Sequence, residues 1–209
     1  MLIRFLNNTG KGSFSKLYTT TPTCLRKHGG KKPFVLLNFY CMLSINQAML
    51  DNELMLWREV LKTAYRAADQ GEVPVGALII DKSKGTIVAK GWNQVNLLKD
   101  PTAHAEMLAI SSATTALQSR HISSCSLLVS LEPCIMCAGA MHWAQIKSVQ
   151  YLLRDDKFGA HSHHKIKKSK KDTWECVVER PWVDPNIQAI ALEYKTFLRD
   201  YFAQIRREA

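Results

Sequence analysis

The sequence predicts an α/β domain in three layers (α/β/α), a mixed sheet of about five strands with helices on both faces. Two observations carry this. Apolar residues recur with helical and strand periods in the order α-β-β-α-β-α-β-β-α, a hairpin early and strands alternating with helices later. Hydrophobic residues make up 46% of the chain, enough for a packed core, yet no run approaches the roughly 18 apolar residues of a membrane-spanning helix.

The first element is a helix. Leu54, Trp57, Val60, Leu61, Ala64, Ala67 and Ala68 repeat at helical spacing, with Asp51 suited to cap the start and Gly71 to stop the helix. VGALIID (75–81) is a buried strand, KSKG a turn, and GTIVAKGWN (85–93) the second strand. Asp100-Pro101 opens a second helix, because Pro fits a helix's first turn, and this helix runs through AHAEMLAISSATTAL. SLLVSL (126–131) is the third strand, Pro133 starts a third helix over CIMCAGAMHWA, and SVQYLL (148–153) is the fourth strand. Residues 154–172 break the pattern with Gly159, three histidines and five lysines between 165 and 171, and read as a loop. WECVVER is a short fifth strand. A long helix after Pro185 closes the chain, its apolar face formed by Ile187, Ile190, Ala191, Tyr194, Phe197, Leu198, Tyr201 and Ile205.

Charge divides the chain unevenly. Of 28 basic residues, seven lie in residues 1–50, where no acidic residue occurs. The remaining 21 face 18 acidic residues in 51–209, a net +3. The overall +10 therefore does not identify a nucleic-acid surface on the core. Residues 1–48, basic and rich in Ser, Thr and Asn, are expected to be a separate extension from a domain at 49–209. The extension reads as a disordered tail, as an organellar transit peptide, or as a segment outside the natural product, with Met42 and Met49 just upstream of the regular pattern; the last reading is favoured. Six cysteines with one close pair, Cys134 and Cys137, fit a reduced compartment and a metal or thiol role rather than a secreted disulfide framework.

Two segments carry chemistry: His104-Ala105-Glu106 and Pro133-Cys134-Ile135-Met136-Cys137, each following a strand region and opening a helix. Cysteines three apart share a helical face, and a helix N-terminus favours the thiolate form that binds zinc. A neutral imidazole and two thiolates leave a tetrahedral zinc with one open position for water. Glu106 is the proton acceptor beside it. Residues two apart in a regular helix point to nearly opposite sides, so His104 and Glu106 can share a site only where the helix begins. Alone, an HxE means nothing and a CxxC is more often structural or redox-active; a structural zinc would need a fourth ligand, for which Cys125, Cys176 and His142 are available. Together the two halves match the zinc-deaminase signature H-x-E then P-C-x-x-C.

From Asp51 onward the chain resembles the tRNA-specific adenosine deaminases, through EVPVGALII, GWN, DPTAHAEMLAI and LEPCIMCAGAM in that order. The resemblance implies a cytidine deaminase-like fold, one Zn²⁺ per chain, a homodimer, and conversion of adenosine to inosine at the wobble position of a tRNA anticodon arm. It assigns His104, Cys134 and Cys137 to zinc and Glu106 to proton transfer. Asn93 is expected to hydrogen-bond the target nucleoside, Val73 to Ala77 (Val75 and Ala77 in particular) to wall the base pocket with Ala105 beside them, and Asp155 to lie near the nucleotide backbone. One block departs from the family: KFGAHSHH stands where a run of small residues is usual, so Phe158, His161, His163 and His164 are bulky where RNA enters. The lysines of IKKSKK read equally as a phosphate-contacting arm or a solvated loop. The alternative is a deaminase of a free nucleobase such as guanine or cytosine. The expected compartment is the cytoplasm, or an organelle if residues 1–48 are a transit peptide.

Overall fold

Residues 34–160, 177–179 and 184–208 are described by a computed structural model. Contacts divide the chain into Met1–Met42 and Leu43–Ala209; of the first unit only helical backbone is described, and the sheet and both cores belong to the second. The elements are α1 (Phe34–Asp69), β1 (Gly76–Asp81), β2 (Thr86–Trp92), α2 (Val95–Leu98), α3 (Ala105–Ala116), β3 (Cys125–Leu131), α4 (Ile135–Trp143), β4 (Ser148–Leu153), β5 (Val177–Glu179) and α5 (Pro185–Glu208).

The five strands form one mixed sheet in the order β2-β1-β3-β4-β5. β1 runs antiparallel to β2 and β3, while β3, β4 and β5 are parallel. Strand side chains alternate between faces, and both faces are covered. Ala77, Ile79, Leu127, Val129, Val149 and Tyr151 join a core with Ala105, Ala109 and Ala113 of α3 and Met141 of α4. Their neighbours Leu78, Ile80, Leu128 and Leu152 join a second core with Trp57, Val60 and Ala64 of α1 and Ile187, Tyr194 and Leu198 of α5. That is the expected three-layer α/β/α fold. Trp57 is fully buried in the second core, so its truncation to Ala would cost about 3–5 kcal/mol.

Three local expectations are corrected. Asp51 does not cap α1, which begins at Phe34; Phe34 to Gln70 contains no Gly or Pro, so nothing stops the helix upstream. Asp100-Pro101 does not open α3. The Asp100 carboxylate instead accepts from the N–H (2.8 Å) and hydroxyl (2.7 Å) of Thr102, a side-chain turn that holds the backbone out of the helix until Ala105. On α5, Ile205 is 42% exposed, whereas Ile187, Ile190, Tyr194 and Leu198 of the same stripe are buried. Residues 1–33, the histidine- and lysine-rich stretch 161–171, and Trp174 to Cys176 of the expected fifth strand lie outside the described residues. Among the described residues no helix is long and apolar enough to cross a membrane.

Candidate active site

Two helix starts build the site. α3 begins at Ala105 with His104 as its N-cap in extended backbone (φ −72°, ψ 155°), and α4 begins at Ile135 with Cys134 as its N-cap (φ −72°, ψ 173°). N-caps are usually Ser, Thr, Asp or Asn, whose oxygens bond the first helical N–H groups. Here neither side chain caps its helix, so both are free to turn toward a common point. α3 reaches that point because β2 carries Gly91, where any Cβ would collide with the Ala105 carbonyl and meet the Ala109 nitrogen at 2.7 Å. Only glycine lets the first turn of α3 lie so close to the strand.

The result is a triangle of ligand atoms. Cys134 Sγ lies 3.6 Å from Cys137 Sγ and 3.8 Å from His104 Nδ1, and Cys137 Sγ lies 3.7 Å from His104 Nδ1. A tetrahedral ion with Zn–S bonds of about 2.3 Å and Zn–N bonds of about 2.0–2.1 Å needs ligand separations of about 3.6–3.8 Å. The three residues therefore fit zinc, in agreement with the expected cofactor, and form the only group of three or more possible metal ligands among the described residues. Electrostatics agree. The hydrogen bond between the two thiols lets Cys134 ionise well below the usual thiol range; the same bond, with burial, holds Cys137 well above it. The pair thus shares one proton, which a dication would displace. The hydrogen bond to Cys134 raises the His104 pKa.

Glu106 is 3% exposed, and burial pushes its carboxyl up to about 7. Its Oε2 has no hydrogen-bond partner among the described residues, an arrangement rare for a buried oxygen and suited to a group that exchanges protons with something bound. Because His104 lies outside the helix and Glu106 within its first turn, the two escape the opposite-sides geometry of a regular helix. Cys125 is buried in the α3/α4-side core and is not one of the three ligand residues.

The remaining expected residues divide. Asn93 is 7% exposed, and its Oδ1 accepts from the Ala105 N–H at 2.8 Å; no described residue accepts from its Nδ2. Val75 is 6% exposed and its carbonyl accepts the Asn93 N–H at 3.2 Å. Ala77 and Ala105 have no exposed surface: Ala77 packs within the sheet core and Ala105 lies under Gly91. Asp155 turns its carboxylate onto its own loop, accepting from the N–H groups of Lys157 and Phe158, both at 2.9 Å. That turn presents Phe158 57% exposed, with Lys157 Nζ 5.0 Å from the ring centroid.

Sequence reasoning missed Glu132. It is 3% exposed, accepts from the Asp155 N–H at 3.2 Å, and lies where a Cβ on Gly159 would sit. The Ala160 N–H meets the Pro133 carbonyl at 3.0 Å, and Gly159 pairs with Cys134. Glu132 thus seats the 155–160 loop against the ligand-bearing start of α4. The one available signal is a carboxylate directly after a buried strand.

Fold and site together define the class of cytidine deaminase-like zinc deaminases. Residues 50–153 match the family model of the cytidine and deoxycytidylate deaminase zinc-binding region. The tRNA-specific adenosine deaminase of Aquifex aeolicus is 48% identical over 99 residues, 47% of this chain and 64% of that protein, so the match spans less than two thirds of this relative. That of Rickettsia bellii is 39% identical over 103 residues, 49% of this chain and 71% of that protein. A solved structure from work on A-to-I editing by tRNA:A34 deaminases at the wobble position superposes with a TM-score of 0.55 at 32% identity, covering 61% of this chain and 96% of that one. The chain belongs to the tRNA-specific adenosine deaminase family.

Proposed function

We propose that the protein hydrolyses adenosine to inosine and ammonia at the wobble position of a tRNA anticodon. The observation that carries this reading is the ligand triangle with the unpartnered buried oxygen of Glu106 two residues from His104. A zinc ion held by His104, Cys134 and Cys137 would supply Lewis-acid activation of water. Glu106 accepts a proton from the attacking water as its oxygen adds to C6 of adenine and passes it to N1; it then takes the remaining proton from the new C6 hydroxyl and delivers it to the amine, which leaves as ammonia as the C6 carbonyl forms. Asn93, fixed through its Oδ1 by the Ala105 N–H, turns its Nδ2 toward the base, and Val75 walls it. Asp155 acts through the turn it stabilises, which presents an aromatic ring and a cation to a splayed nucleotide.

A homodimer suits this reading. Trp143 is 79% and Ile135 52% exposed, and with Met107, Met136 and Ala140 they line an apolar groove between α3 and α4 that a second copy would cover. The reducing cytoplasm suits the free thiols of Cys125, Cys134 and Cys137.

The test is turnover by the purified chain of an anticodon stem-loop carrying adenosine at the wobble position, alongside free adenine, guanine and cytosine, with inosine and ammonia measured. Salt-sensitive inosine formation in the stem-loop is expected. Turnover of a free base without inosine in RNA would replace this reading by the nucleobase deaminase, for which the bulk of Phe158 would serve as a cover over a small substrate.

A further inference from the structure

The segment Gly71–Gly76, which joins α1 to β1 and ends on the first residue of that strand, has no regular structure before Gly76, yet the carbonyls of its first five residues all have donors. Asn96 Nδ2 reaches the Gly71 carbonyl at 3.3 Å, Tyr201 Oη the Glu72 carbonyl at 2.9 Å, and Tyr194 Oη the Pro74 carbonyl at 2.6 Å. The Val75 N–H turns back to Val73 at 2.7 Å, and Asn93 N–H meets Val75 at 3.2 Å. An ordinary surface connection leaves most of these groups to water.

Two of the donors come from α5, more than a hundred residues downstream, and sit seven residues apart on one helical face. Around Tyr194 the bonds close a buried relay. Gly76 N–H donates to Ser130 Oγ at 3.1 Å, Ser130 donates to Tyr194 at 2.9 Å, and Tyr194 donates to Pro74. The relay begins and ends on the same segment, and each hydroxyl proton is used once. Burial raises the Tyr194 pKa far above neutrality, so the phenol keeps its donor. Around Tyr201 the chain continues outward: Glu72 is 1% exposed and its Oε1 accepts the Leu97 N–H at 2.7 Å, which fixes the stretch between Asn93 and His104.

We propose that Tyr194 and Tyr201, with Ser130 and Glu72, are positioning residues that lock the Gly71–Gly76 segment and, through the Val75 carbonyl and the Leu97 amide, set the orientation of Asn93 toward substrate. The assignment rests on the role given to Asn93 in the proposed function. It concerns substrate binding and not the metal, because no member of the relay touches His104, Cys134 or Cys137 in a described contact. Neither tyrosine was distinguishable by sequence from the apolar face it shares with Ile187 and Leu198.

The test uses Tyr194→Phe, Tyr201→Phe and the double variant in the full chain, with Ile190→Val as a packing control on the same helix. Zinc content, amide exchange at Gly76 and Leu97, and KM and kcat on the stem-loop are measured. Each tyrosine variant is expected to keep its zinc and its kcat and to raise KM about fivefold, the factor that one ordinary hydrogen bond brings. Exchange should quicken at Gly76 in Tyr194→Phe and at Leu97 in Tyr201→Phe. Ile190→Val should lower the melting temperature with neither effect. Unchanged exchange and KM in the double variant, or an equal rise in KM in Ile190→Val, would overturn the proposal. Should the parent chain fail to act on the stem-loop, the function assigned above falls, while the exchange measurement still decides whether the tyrosines hold the segment.

Discussion

The residues that could hold a metal and those proposed to surround the substrate are positioned by different routes. His104 and Cys134 are N-caps and Cys137 lies in the first turn of α4, so two short peptides and the direction of two helices set all three. Asn93 is held by the Ala105 amide and by the Val75 carbonyl, the segment that contains Val75 by the α5 tyrosines at Glu72 and Pro74, and Asp155 by its own loop and the Glu132 carboxylate. A site can thus keep its metal while its substrate contacts drift, and damage should separate along the same line.

The largest expected effect is that of Cys134→Ala. Removing one of three ligands should abolish both zinc content, measured by metal analysis, and deamination. Glu106→Gln comes next. It keeps the shape of the side chain but cannot accept the proton, so one zinc per chain should remain while kcat falls by about 10²–10⁴-fold. A variant that lost zinc as well would place Glu106 with the ligands and blur the comparison. Asn93→Ala should act on the other half of the site. It leaves the buried Ala105 N–H unpaired, costing about 1–3 kcal/mol in chemical denaturation, and raises KM with zinc retained. The smallest effect is that of a chain beginning at Met49. Among the described residues the packed face of α1 includes Leu54, Trp57, Val60, Leu61 and Ala64, all retained in that chain, so folding and turnover should stay within about twofold of the full chain.

Legibility in the sequence divides along the same line. The strands could be read because VGALIID, SLLVSL and SVQYLL are covered on both faces and therefore mostly apolar. The ligands could be read because their spacing is a local property of a helix start. The start of α3 was misplaced by four residues because Asp100 spends its carboxylate on Thr102, a choice that Pro101 does not reveal. The full burial of Ala77 and Ala105 is not legible in their size: Ala105 sits against Gly91 of the neighbouring strand, a contact between residues fourteen apart in sequence. Glu132, Tyr194 and Tyr201 escaped notice because a hydrogen-bonding partner twenty to a hundred and thirty residues away leaves no periodic trace.

The ligand triangle also has a mechanical meaning. It joins residue 104 to residues 134 and 137, with all of α3 and β3 lying between them. An ion bound there is a cross-link across a loop of about 30 residues, comparable in the entropy it removes from the unfolded chain to a disulfide contributing about 3–4 kcal/mol. The apo chain should therefore melt earlier and exchange its α3 amides faster. Metal supply would then govern how much folded protein persists as well as how fast it turns over.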